Sequence, residues 1–250
     1  MDELLVISDL DGTLLGDDAA LVDLARWLLT LDRQVRLAYS SGRFIPSMLE
    51  SIRSTALPYP VALIGGVGTQ VVLCPQSEAL DWPRVRDWSA SQVLTALQGV
   101  RGLAPQSPEF QSPLKVSYFL HDAEAAQLHD VRCRLARAGV RAELVYSSAR
   151  DLDVLPAGVN KGAAAAYLAT RLGHVQQDVV VCGDSANDLA MFQQGFRGIV
   201  VGNGHDELKQ AACGHVYRAR GHFAAGVREG IEYWLAQPTA CGELCCGGAG

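Results

Sequence analysis

Residues 4–13 read "LLVISDLDGT": four apolar residues and a serine, then two aspartates two positions apart, then glycine and threonine. A short apolar run that ends in a turn signal has the pattern of a strand buried on both faces, as in a parallel sheet. Asp9 and Asp11, spaced i and i+2, project to the same side while the backbone remains extended. Two like charges at the end of a buried strand need a reason, and the rest of the chain supplies one.

Working outward, helical periodicity over 19–31 and a second apolar strand over 35–39 make a βαβ opening. A helix over 46–55 follows, and "VALIGGVGTQVVL" (61–73) reads as strand, glycine turn and strand. From residue 81 the texture changes. We expect a helix over 84–97, a strand in "LKVSYFL" (114–120), a helix over 123–138, and strands in "AELVYS" (142–147) and "LDVLP" (152–156). Helix–strand alternation then resumes, with helices over 163–172, 188–194, 207–212 and 224–235 and strands in "VVVCGD" (179–184) and "GIVVGN" (198–203). The expected fold is α/β, a doubly wound, mostly parallel sheet built from 1–80 and 158–250, with an α+β cap inserted at 81–157. Ligands collect at the carboxyl ends of the strands in such sheets.

A second acidic cluster, "GDSANDLAMF" (183–192), follows another apolar strand and supplies Asp184 and Asp188 around Asn187. Carboxylates at two strand ends suggest one shared divalent cation, and oxygen-only ligands favour a hard ion such as Mg²⁺. The metal would screen the acidic groups and attract a phosphate ester. Asp9 is then the candidate nucleophile and Asp11 the acid/base. Neutralising a transferring phosphoryl group calls for a lysine and a hydroxyl at loop positions. "YSSGR" offers Ser41, and "VNKGAAAAYL" offers Lys161 at a helix start, where the helix dipole also favours an anion. Taken singly, each motif has a plain reading as a turn or a helix cap. Their joint order, each at a strand end or helix start, is what points to chemistry.

D-L-D-G-T, S-G-R, N-K-G and G-D-S-x-N-D, in this order, resemble the four motifs of the haloacid dehalogenase superfamily of phosphatases. That resemblance implies an aspartyl-phosphate intermediate and a magnesium ion held by Asp9, the backbone carbonyl of Asp11 and Asp184, with Asp188 nearby. It also implies that Ser41 and Lys161 bind phosphate, with Asn187 beside them supporting the acidic loop. The place of the insertion is similar to the Cof-type branch. Together with "PQSPEFQSPLKVSYFL" and "VYSSARDLDVLP", the motifs look like the sucrose-phosphate phosphatases of cyanobacteria and plants. Ser41 stands where that family usually has threonine, which retains the hydroxyl. The segment "RARGHFAAGV" (218–227) departs from the family form, so no role is carried over to His222.

Selection among sugar hydroxyls requires directed donors and acceptors. The polar cap segments make Gln106, Glu109, Lys115, Ser117 and Asp151 candidate sugar contacts, with Arg43 near the cleft. The expected activity is hydrolysis of sucrose 6-phosphate. The alternatives are another phospho-disaccharide or osmolyte phosphate, such as mannosylfructose phosphate or glucosylglycerol phosphate, and a non-catalytic sugar-phosphate-binding module.

Net charge is −6, without the basic balance of a nucleic-acid binder. No apolar run reaches the ~20 residues of a membrane span, and the N-terminus lacks signal-peptide features. We therefore expect a cytoplasmic monomer that takes a small-molecule sugar phosphate, with a sugar-phosphate synthase as the protein partner to consider. The seven cysteines do not form a disulfide framework in a chain this long, and the tail "CGELCCGGAG" (241–250) reads as redox-sensitive rather than metal-binding.

Overall fold

The computed structural model describes residues 3–31, 34–76 and 78–237. The cysteine tail lies outside them. Eight strands form one sheet, in spatial order β12-β11-β10-β1-β2-β3-β4-β5. In chain order these are β1 (Leu4–Asp9), β2 (Val35–Ser40), β3 (Ala62–Gly65), β4 (Gln70–Leu73), β5 (Glu78–Ala79), β10 (Val179–Gly183), β11 (Arg197–Val200) and β12 (Val216–Arg218). The β12-to-β3 ladder is parallel, and the β3–β4–β5 edge is antiparallel. The second sheet is antiparallel, in order β6-β7-β9-β8, from β6 (Ala104–Pro105), β7 (Val116–Phe119), β8 (Ala142–Ser147) and β9 (Asp151–Pro156).

The opening stretch behaves as a doubly buried strand. Leu4 and Val6 face one core together with Leu21 and Leu24 of α1 (Asp18–Leu28), Met48 of α2 (Ile45–Ser54), and Val227 and Ile231 of α8 (Phe223–Ala236). Leu5 and Ile7 face the other core. There they meet Ala165 and Leu168 of α5 (Lys161–Arg171), Met191 of α6 (Leu189–Phe192) and Leu208 of α7 (Asp206–Ala211). Each such side chain contributes roughly 1.5–3 kcal/mol when fully buried, so register here is strongly specified. Trp234 packs in the first core, and Tyr167 stacks on Trp82 with ring centroids 5.0 Å apart.

The cap obeys the two-residue period. On β9, Leu152 and Val154 enter a third core with Val116 and Tyr118 of β7 and with α3 (Ala90–Ala96) and α4 (Ala125–Arg137). Asp151 and Asp153 take the opposite face, in register with Phe119 and Ser117. Some expected helices are shorter than their patterns: that over 19–31 ends at Leu28, and that over 188–194 spans Leu189–Phe192. The helix over 84–97 begins only at Ala90, because Asp87 turns left-handed (φ 58°) and Ser89 caps the helix, its side chain accepting from Gln92 N at 3.4 Å. No described helix is long and apolar enough to cross a membrane.

Candidate active site

β1 lies between β10 and β2, so the chain leaves its first strand at the point where the sheet's winding reverses. Asp9 ends β1, Ser40 ends β2 with Ser41 just after it, and Asp184 follows β10, which places three loops at the carboxyl ends of adjacent strands. The fourth contribution comes from α5. Asn160 caps that helix, its side chain accepting from Ala163 N at 2.8 Å, and Lys161 is the first helical residue.

The Lys161 side chain is wholly buried, and its ammonium joins the motifs. It donates to Asp9 Oδ1 at 2.6 Å, Asp188 Oδ1 at 2.7 Å and Asn187 Oδ1 at 3.1 Å. Asp188 Oδ2 accepts from the backbone amides of Asp184 (3.0 Å) and Ser185 (3.2 Å), closing the acidic loop on itself. Asp184 Oδ1 accepts from Thr13 Oγ1 at 3.0 Å. Gly12, at φ +84°, lies so close to Asp184 that a Cβ there would sit 2.6 Å from Oδ2. That contact, together with the left-handed turn, explains why glycine follows the paired aspartates.

Carboxylate oxygens of Asp9, Asp184 and Asp188 lie within 4.8 Å of one another. Burial pushes Asp9 well above the usual carboxylate range against the pull of Lys161, and burial together with Asp188 pushes Asp184 up to about 6. For Lys161, burial works against the charge, but Asp188 and Asp9 outweigh it and the ammonium is held upward. With all three carboxylates ionised, one ammonium leaves an excess of two negative charges, which one divalent cation would balance. The donor set is all oxygen and suits a hard ion.

Asp11 sits apart from this cluster. Its half-exposed carboxylate pairs with the Arg43 guanidinium, which also donates to Ser51 Oγ at 2.9 Å. Ser41 is buried, and its Oγ accepts from Arg43 N at 3.1 Å. A cleft of about 590 Å³ opens over Asp9, Asp11, Arg43, Asp184 and Asn187, and its far wall is the polar face of the cap. Gln106, Lys115 and Asp151 line that wall, with Gln106 Nε2 donating to Asp151 Oδ1 at 2.8 Å.

Two candidate sugar contacts lie elsewhere. Ser117 is on the cleft-side face of β7 but is wholly buried, its hydroxyl donating to Asp153 Oδ1 at 2.5 Å with Phe110 O the alternative acceptor at 3.0 Å. Glu109 lies outside the cleft lining and accepts from Ser107 Oγ at 3.1 Å. Residues the sequence reading missed also line the cleft: Asp153, Phe119, Ser147, Arg150 and His205. Asp153 accepts from Ser117 and pairs with buried Lys115 at 3.2 Å. Period-two alternation in "DLD" was the available signal for it. His205, just past the strand "GIVV", donates its amide to Asp184 O at 2.7 Å.

This geometry has counterparts. The family model described as Sucrose-6F-phosphate phosphohydrolase matches residues 2–235. The chain belongs to that family. It is 36% identical to mannosylfructose-phosphate phosphatase of Agrobacterium fabrum, covering 94% of this chain and 98% of the relative. It is 30% identical to glucosylglycerol-phosphate synthase of Pseudomonas anguilliseptica, of which it spans only 32%. The sucrose-phosphatase of Synechocystis sp. PCC6803, solved in complex with sucrose and phosphate, superposes with a TM-score of 0.83 at 32% identity, covering 94% of this chain and 98% of that one. Family and structure together make the protein a phosphoric monoester hydrolase with the haloacid dehalogenase fold, as the four motifs had implied, and an inserted cap.

Proposed function

We propose that the protein is a magnesium-dependent phosphatase that hydrolyses sucrose 6-phosphate through an aspartyl-phosphate intermediate. The observation that carries this reading is the buried Lys161 ammonium held between Asp9 and Asp188, with Asp9 opening onto the cleft that the polar cap wall faces. In the first step Asp9 attacks phosphorus and Asp11 gives a proton to the departing sugar oxygen. In the second, Asp11 takes a proton from water, which attacks the acyl phosphate and returns Asp9. Lys161 neutralises charge on the transferring group, and the Ser41 hydroxyl orients it. Asp9, Asp184 and the Asp11 carbonyl would hold Mg²⁺ with Asp188 beside them, and the ion would supply electrostatic stabilisation of the phosphoryl oxygens.

The cap wall suits a neutral polyol. Its charges are paired, Lys115 with Asp153 and Arg150 with Asp151, so it offers directed hydrogen bonds without a second net charge. A second substrate, mannosylfructose phosphate, is favoured by the 36% identity over nearly the whole of its phosphatase. The two substrates share a phosphorylated fructosyl unit joined to a hexose. Phosphate release with Mg²⁺ from both, and from unrelated sugar phosphates, compared by kcat/KM, separates them. Asp9→Asn is expected to lower turnover at least about 10⁴-fold. Hydrolysis of other sugar phosphates but neither of these two would sink the assignment.

A further inference from the structure

The departing segment "RARGHFAAGV" contains a residue with an unusual backbone. Phe223, which opens α8, has φ 49°, in the left-handed region that L residues with a bulky side chain avoid. Its ring lies on Gly16: a Cβ at Gly16 would sit 2.3 Å from the Cε1 of Phe223. Its amide donates to Asn203 Oδ1 at 2.7 Å, and Asn203 Nδ2 donates in turn to Gly12 O at 2.7 Å. The loop that leaves β1 after Asp9, and contains Asp11, is thus held at Gly16 by the Phe223 ring and at Gly12 by Asn203, whose side chain the Phe223 amide anchors. A ring needed only to fill space could do so from a relaxed backbone. The left-handed turn is what directs the amide to Asn203 and the ring to Gly16 together, and such conformations persist where the surroundings over-determine them.

We propose that Phe223 is a positioning residue for the proposed phosphatase reaction: it fixes the loop of residues 10–16 and so sets Asp11 relative to Asp9. It touches neither substrate nor the reacting atoms, and the inference rests on the phosphatase reading above. Small misplacements of a reacting group are felt mainly in turnover. In Mg²⁺-containing buffer, on whichever sugar phosphate of the panel the protein hydrolyses best, Phe223→Ala is expected to lower kcat about tenfold with KM within about twofold. Phe223→Tyr, which keeps the ring, is expected to retain kcat within about twofold of the unaltered protein.

The ¹⁹F spectrum of the beryllium trifluoride adduct is expected to change in Phe223→Ala and not in Phe223→Tyr, a readout that general loss of stability does not move. If Phe223→Ala fails to fold, Phe223→Leu serves, with a kcat loss of about threefold expected. Unchanged kcat in the folded Ala or Leu variant, or a loss matched by the unfolded fraction in circular dichroism, overturns the inference alone. An unaltered protein that releases no phosphate from any sugar phosphate overturns both this inference and the reading beneath it.

Discussion

Lys161 concentrates the electrostatics of the site in a single atom. Its ammonium is wholly buried among Asp9, Asp188 and Asn187, and among the described residues it is the cation within hydrogen-bond reach of Asp9. Removing one partner from a buried ionic group costs about 3–5 kcal/mol, because the remaining charge has no counterion. Lys161→Met is therefore expected to destabilise the metal-free protein by about 3 kcal/mol at pH 8. The loss should be smaller at pH 5, where Asp184, pushed up to about 6 by burial and Asp188, is protonated and repels its neighbours less. Urea unfolding at the two pH values checks this, and a pH-independent loss would contradict it. "NKG" made Lys161 visible as a phosphate ligand, but its contacts with Asp9 and Asp188 span 152 and 27 positions and had no local signature.

At the scale of elements, α5 shows how a local rule places a distant charge. Asn160 satisfies an orphan amide of the first turn, and the same turn holds Lys161 under the end of β1. Asn160→Ala is expected to lower stability by about 1 kcal/mol, a fall in Tm of roughly 2–4 °C at this chain length. Scanning calorimetry measures the Tm, and no change in it would show that the cap contributes nothing. In the cap, alternation along β7 and β9 was legible, so polar residues could be assigned to one face. Which of them reach the cleft was not. Segment 108–110 folds over Ser117 and consumes its hydroxyl, while Asp153 from the neighbouring strand receives it. The expected helix over 84–97 failed for a related reason: its apolar spacing was helical, but the turn at Asp87 and the cap at Ser89 decided where the helix could begin.

Across the whole molecule, folding gathers acids that sit far apart in the chain, and pH tests that gathering. Asp184 has an ordinary value of 3.8 and is pushed up to about 6 in the fold, first by burial and then by Asp188. The folded state holds this proton more tightly than the unfolded state. The contribution of Asp184 to the stability of the metal-free protein therefore falls as pH climbs from about 4 to about 6, by on the order of 3 kcal/mol, and is constant above that. Bound Mg²⁺ would oppose the same repulsion. The rise in Tm on adding Mg²⁺ is therefore expected to be small at pH 5, where the ion must displace a proton, and larger at pH 7.5. Equal shifts at both values would argue against the acidic cluster as the metal site.

By itself the sequence determined the order of the longer helices and strands, though not the short strands β5, β6 and β12, together with the doubly buried first strand and the residue types able to move a phosphoryl group. Those properties are local: side-chain period, caps and turn residues act over a few positions. Tertiary structure decided the pairing of Asp11 with Arg43, the three contacts of Lys161, the loss of Ser117 and Glu109 from the cleft, and the grip of Phe223 on Gly16 directly and on Gly12 through Asn203. Each joins side chains from separate turns or strands, and the partner of a buried polar group is chosen by which strands lie side by side, which no window of sequence contains.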